Sequence, residues 1–341
     1  MTEVEPKNDK LFPSTYAIPA ANNNRAELEI VILRSLGRFE MMTREWIEML
    51  HFPAIADGSA RSVAPHRTLQ SLLKLGLIWR VPADIIRRSA RGRTPYVYGL
   101  TKDGRDYLEE YGQEPDDETL RRLKWRPKSN PQVGKATLAH DLKAAAWSVG
   151  MVQALRRSPR LHQIFVQVEY STEGQRFDAL VLARFWRKPP QKILFLDRVP
   201  WWEAADVSSH LVDVIAFALE VDQGTEATRI IKEKAEQYRD LSLRGFYQKQ
   251  IGTFVIPVFL VPDQKRMLNI MHMWNSAWSG VTEAERQRYS ALISTAAGAT
   301  AQPEWGPLWG NYIHIASNKK RSLLEPLGCS TIATWEQQWL T

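Results

Sequence analysis

"FALEVDQGTEATRIIKEKAEQY", residues 217 to 238, opens with the period of a buried strand and closes with that of an amphipathic helix. Phe217, Leu219 and Val221 alternate onto one strand face, which puts Glu220 and Asp222 together on the other. Two carboxylates side by side on a strand repel unless a proton, a metal or another cation lies between them. Lys232 and Lys234 follow at once in the helix. Upstream, "LAHDLKAAAWSVGMVQAL" reads as a long helix and "IFVQVEYSTEGQRFDALVLARFW" as two strands around a turn at Glu173 and Gly174, with Asp178 opening the second strand just after Arg176. Downstream, "TFVIPVFLV" is a strong strand. Helix, strands, helix, strand predicts a small α/β domain with a mixed central sheet, built over residues 136–341.

A chain of 341 residues, 44% hydrophobic and 24% charged, has the length of two ordinary domains and the composition of a globular protein. No apolar run reaches the roughly 18 residues of a membrane span, and the polar start "MTEVEPKNDK" lacks the order of a signal peptide. A cytoplasmic protein without membrane contact is expected. The single cysteine, Cys329, excludes an internal disulfide and a cysteine zinc cluster. No glycine loop of a nucleotide-binding motif is present.

The net charge of +7 is localised. Residues 58 to 105 hold ten Lys/Arg against two acids, a local surplus that leaves the rest of the chain near neutral. Basic charge confined to one segment points to an anionic polymer, and double-stranded DNA is the usual one. Within 25–112, after a polar tail over 1–24, three helical patterns precede a hairpin. "RAELEIVILRSLGRF" carries an apolar stripe through Leu28, Ile30, Val31, Leu33 and Leu36. "MTREWIEMLHF" has Thr43 as N-cap and Trp46, Ile47 and Leu50 facing inward. "SVAPHRTLQSLLKLGLIWRV" opens at Pro65, turns Leu69, Leu72, Leu73 and Leu75 inward, stops at Gly76 and runs into a strand. The return strand "PYVYGLT" follows the basic loop "RRSARGRT".

Three helices, strand, basic loop and strand make the order of a winged helix-turn-helix, in which the third helix enters the major groove and the wing touches phosphate. His66, Arg67, Gln70 and Lys74 on the polar side of the third helix are the candidate base-facing residues, and Arg87, Arg88, Arg91 and Arg93 suit phosphate. The alternative is a winged helix used only for protein contacts, with solvated arginines; the concentration of charge in the third helix and wing argues against it. Residues 113–135, acidic in "QEPDDET" and basic with prolines in "RRLKWRPKSNPQVGK", read as the linker.

In the second domain, Asp178 at one strand end and the Glu220-x-Asp222 pair on its neighbour offer three hard oxygen ligands, the kind that Mg²⁺ or Mn²⁺ prefers. A lysine from the next helix would orient the attacking water or stabilise the phosphate. Phosphodiester hydrolysis needs those parts. The arrangement resembles the PD-(D/E)xK nuclease superfamily, with Asp178 as its first acid and Glu220 as its second. Asp222 stands where that pattern has its lysine, so the resemblance implies that Lys234, or as a second choice Lys232, supplies the amine from the helix. A broader resemblance rests on "GLIWR", "YGLTKDG", "LAHDL", "RFDAL", "LEVDQGTE", "KAEQY" and a late strand followed by "PDQKR". Together these resemble the replication-relaxation family of plasmid and mobile-element proteins, and "LEVDQGTE" with "KAEQY" is the most specific pair. This resemblance implies a DNA-binding protein serving element replication, transfer or maintenance alongside other mobile-element or replication proteins, with 187–213 as an insertion.

His140 in "LAHDL" and Arg176 are accessory candidates; their plainer roles are packing or capping for His140 and pairing with Asp178 or Glu220 for Arg176. Gly224 and Thr225 read as the turn and N-cap before the helix. Two alternatives stand beside a metal-dependent DNA endonuclease or nickase. One is a transcription or replication regulator whose degenerate nuclease fold serves homodimerisation or partner docking; the other is a scaffold in a nucleoprotein assembly. "MLNIMHMWNSAW" and "EAERQRYSALISTA" have helical periods, and "NYIHIAS" is expected as the last strand.

Overall fold

The computed structural model describes residues 25–52, 63–82, 96–111, 135–158, 160–172, 174–186, 212–299, 312–321 and 323. Those up to Val149, with Val166–Val168, form one compact unit, and the others from Gly150 onward form a second. The expected linker lies outside the described residues except for its last position, Lys135. The wing arginines Arg87, Arg88, Arg91 and Arg93 and most of 187–213 also lie outside them.

The first unit runs α1 (Arg25–Arg38), β1 (Met42–Thr43), α2 (Arg44–His51), α3 (Val63–Lys74), β2 (Ile78–Pro82), β3 (Tyr96–Leu100) and α4 (Lys102–Tyr111), then enters α5 (Lys135–Leu155). Thr43 caps α2, its hydroxyl accepting from the Trp46 amide at 3.3 Å. Leu33, Leu36, Ile47, Leu50, Leu69 and Leu72 are buried, as is Ile32. Each such side chain contributes about 1.5–3 kcal/mol by leaving water. Leu75, expected inside, is 57% exposed. It sits where α3 has already begun to turn out.

That turn is a Schellman closure. Gly76 adopts φ 72°, its amide donates to the Leu73 carbonyl, and the Leu77 amide reaches back to Leu72. Thr101, fully buried, then ties the motif "GLIWR" to the motif "YGLTKDG": its hydroxyl lies 2.8 and 2.9 Å from the Gly76 and Leu77 carbonyls and accepts from the Gly104 amide at 3.0 Å. A Cβ on Gly104 would stand 2.1 Å from the Leu77 oxygen. The three-stranded sheet, ordered β1-β3-β2, pairs Trp79 with Gly99, and the indole occupies the space a Gly99 side chain would need. Met41, Trp79 and Val97 share a cluster with Leu138 and Leu142, so the apolar residues of "LAHDL" serve this unit's core.

The second unit continues with β4 (Leu161–Ser171), β5 (Arg176–Trp186), β6 (Val212–Val221), α6 (Thr228–Leu243), α7 (Phe246–Gln250), β7 (Val255–Val261), α8 (Gln264–Ala277), α9 (Glu283–Arg288), β8 (Leu292–Thr295), α10 (Ala296–Ala299), β9 (Tyr312–His314) and β10 (Lys319–Arg321). Its sheet has seven strands in the order β10-β9-β8-β7-β6-β5-β4. β5 and β6 are antiparallel, whereas β6, β7 and β8 are parallel, so the sheet is mixed. Small residues Ala216 and Ala218 on β6 admit Ile231, Ala235 and Tyr238 of α6, with Ile270 and Trp274 of α8 in the same core. The stretch "ALIST" has helical spacing but leads into β8, with Ala291, Leu292 and Ile293 buried and Leu292–Thr295 in parallel register with β7. Continuous burial beside an existing strand outweighed its helical spacing.

Candidate active site

The antiparallel register Ala179 to Leu219 brings Asp178, one step further out, across from Glu220. The Val221 amide donates to Asp178 Oδ2 at 2.6 Å, which clamps the two strand ends together. Glu220 points to the α6 face of the sheet, the same side as Ala216 and Ala218, and is only 3% exposed. Two donors from one face of α6 meet it there. Lys234 Nζ donates to Oε2 at 3.1 Å and the Tyr238 hydroxyl to Oε1 at 2.8 Å. Their spacing of four residues along the helix is what allows both to reach one carboxylate.

Lys234 also bridges to Glu226 Oε1 at 2.9 Å. Lys232 points elsewhere and pairs with Glu236 at 3.7 Å on the exposed side of α6. Burial drives the Glu220 carboxyl up to about 7; Lys234 opposes the rise, Asp178 across the strands adds to it, and the Tyr238 hydroxyl opposes it. For Lys234, burial works against the charge, but Glu220 and Glu226 outweigh it and hold the ammonium above the usual lysine range. The pair's protonation change near neutrality therefore belongs to Glu220. Beneath it, Tyr238 is pushed well above the ordinary phenol range by burial and by the Glu220 charge.

Asp222 has a different partner from the one its strand period implied. It lies just past the end of β6, its amide donates to the Leu260 carbonyl, and Arg266 of α8 grips its carboxylate in a two-pronged ion pair. The second prong measures 3.1 Å, and the same Nη2 donates to the Glu226 carbonyl at 2.7 Å. Asp222 Oδ1 further accepts from the Gly224 amide at 2.9 Å. Gly224 takes φ +81°, as a turn glycine should. Thr225, expected as N-cap, does not serve: Ala227 occupies that position without a side-chain bond. Asp178, Glu220 and Asp222 do not bring three carboxylate oxygens within 4.8 Å of one another.

Of the other sequence-derived candidates, Arg176 pairs with Glu169 and is largely exposed. His140 belongs to the first unit, where its Nδ1 lies 3.2 Å from Asp141 Oδ1. Buried carboxylates able to ligate a cation are also present in that unit, since Glu40 and Asp141 place oxygens within 4.8 Å of each other. His66, Arg67, Gln70 and Lys74 are all exposed on one side of α3, opposite Leu69 and Leu72.

Tyr238, Glu226 and Arg266 were not singled out from the sequence. All three lie inside motifs that were: "KAEQY", "LEVDQGTE" and "PDQKR". The structure brings these motifs together, with Asp263 capping α8 through the Arg266 amide at 2.8 Å so that the Arg266 side chain starts from a fixed turn. Among the described residues no helix is long and apolar enough to cross a membrane. No curated protein and no solved structure matches the chain. A family model described as replication-relaxation matches residues 33–256, a span that includes α3, β5, β6 and α6. The chain belongs to the replication-relaxation family.

Proposed function

We propose that the protein binds double-stranded DNA through its first unit, a winged helix-turn-helix, and acts on a phosphodiester through a restriction-endonuclease-like site in the second. Family membership supports a general role in plasmid or mobile-element biology with DNA as partner. The exposed row His66, Arg67, Gln70 and Lys74 on α3 supports base-edge contact, and the wing arginines would add phosphate contact. In the second unit the run β4, β5, β6, α6, β7, with β6 inside the sheet and parallel to β7, supports the nuclease-like reading.

The observation that carries this reading is Lys234 Nζ at 3.1 Å from Glu220, whose strand position faces Asp178. It supplies from a helix the amine that the Asp222 position lacks. The donor set fits a small hard dication with two protein carboxylates, Asp178 and Glu220, the remaining positions going to water and substrate phosphate. Each Glu220 oxygen holds one hydrogen bond, and a carboxylate oxygen accepts more than one. Mg²⁺ or Mn²⁺ there would polarise the phosphate and acidify a water. Lys234 would stabilise charge developing on the phosphate, while Tyr238 fixes the Glu220 rotamer. Asp222 and Arg266 would hold the turn that carries Glu226.

The test is cleavage of plasmid and linear duplex DNA in Mn²⁺ by wild type, Asp178→Ala and Glu220→Ala, with DNA affinity measured in parallel. Loss of cleavage in both variants at unchanged affinity is expected. Retained cleavage in both sinks the assignment. The Asp222–Arg266 pairing favours a second reading, a regulator whose nuclease fold docks a partner or a second copy. Protection of one DNA site without strand breaks in either metal would select it.

A further inference from the structure

Lys234 reaches from the buried Glu220 to the part-exposed Glu226. Its side chain is about a third exposed, between the buried Glu220 and the comparably exposed Glu226. Lys234 Nζ donates to both carboxylates, at 3.1 Å to Glu220 and 2.9 Å to Glu226. Glu220 is buried and Glu226 partly exposed, so an anion arriving from solvent meets the ammonium beside Glu226. Glu226 is suited to stand there and to leave. Its backbone carbonyl is pinned by Arg266 at 2.7 Å, and its turn is held by the Asp222 bond to Gly224. Its side chain is about a third exposed and bonds Lys234 through Oε1, and its carboxylate, like a phosphodiester, carries one negative charge shared over two oxygens.

We infer that Glu226 is an internal stand-in for substrate phosphate: its carboxylate fills the seat on Lys234 Nζ that a phosphodiester oxygen takes, and it must rotate away for that oxygen to bind. The inference rests on Lys234 as the phosphate-facing group of the proposed site, and it requires neither a metal nor a turnover. With Glu220 and Glu226 already on the ammonium, a phosphodiester oxygen arriving beside Glu226 adds a further negative charge at hydrogen-bond distance, and the Glu226 carboxylate repels it. Removing the Glu226 charge therefore strengthens phosphate binding at Lys234.

The experiment titrates dimethyl phosphate, the smallest phosphodiester, into the full chain carrying isotope-labelled lysine, in chelator and without divalent metal. The readout is the Lys234 ammonium resonance, assigned by its loss in Lys234→Arg. Glu226→Gln is expected to bind roughly fivefold more tightly than wild type, the upper range for a partly exposed ion pair. Glu233→Gln, which removes an exposed acid of the same helix that pairs with Arg229, is expected to match wild type. Equal or weaker binding in Glu226→Gln overturns the inference, and so does an equal gain in Glu233→Gln, which would reduce the effect to general charge. A protein that never cuts DNA but shows the selective gain keeps the phosphate seat and loses the nuclease reading. A protein that cuts DNA without the gain loses the stand-in.

Discussion

Replacing Glu220 by Gln should remove most of one pH-dependent component of the stability of the second unit. The carboxyl is buried, and its folded value of about 7 stands above an ordinary value of 4.5. The native state therefore holds this proton more tightly than the unfolded chain does. Stability from that difference is fully present below pH 4.5 and is lost as pH rises to about 7, since unfolded chains have already released the proton. The gap of some two and a half pH units corresponds to about 3 kcal/mol. Gln keeps the shape and can still accept from Tyr238 or Lys234, but it does not titrate. Urea unfolding followed by tryptophan fluorescence, with Trp274 and Trp278 buried in this core, reads the effect at a series of pH values. The stability of wild type minus variant should fall by about 3 kcal/mol between pH 4.5 and about 7.5 and be flat above. A difference that stays flat throughout, or rises with pH, would refute the claim that burial outweighs Lys234 at this carboxylate.

Tyr238→Phe removes a fully buried donor from Glu220 Oε1 and should destabilise by about 1–3 kcal/mol, while moving the Glu220 transition to higher pH; the same unfolding series measures both. Asp222→Asn leaves Arg266 short of its charge partner and should lower stability by about 3 kcal/mol, most of it recovered in Asp222→Leu with Arg266→Met, as calorimetry of the single and double variants would read. In the first unit, Thr101→Val forfeits the α4 cap and the bonds to Gly76 and Leu77; a loss of about 2 kcal/mol is expected in its unfolding transition. Arg67→Ala should weaken duplex binding by about 1–3 kcal/mol and narrow the gap in affinity between duplexes of different sequence without shifting either unfolding transition, which anisotropy over a panel of duplexes tests.

Much of this architecture is legible in local patterns because its causes are local. The alternation through Phe217, Leu219 and Val221 identifies β6, and the stop at Gly76 follows from its left-handed backbone. Thr43 caps α2 for a reason visible within the four residues Thr43 to Trp46. What local patterns do not carry is partner choice across the chain. Asp222 reads as a neighbour of Glu220 by strand period, yet β6 ends at Val221 and a guanidinium 44 residues further on takes the carboxylate. Helical spacing in "ALIST" yields to burial beside β7, and Leu75 lies past the point where α3 unwinds. Lys234 over Lys232 follows once α6 is known to bury Ile231, Ala235 and Tyr238, because only one of the two lysines then shares that face.

Mn²⁺ titrated calorimetrically into the full chain tests the central claim most directly, with wild type beside Glu220→Gln and Glu40→Gln. A binding event is expected in wild type that disappears in Glu220→Gln and persists in Glu40→Gln, placing the cation between Asp178 and Glu220. Binding unchanged by Glu220→Gln, or no binding in any of the three proteins, would contradict it.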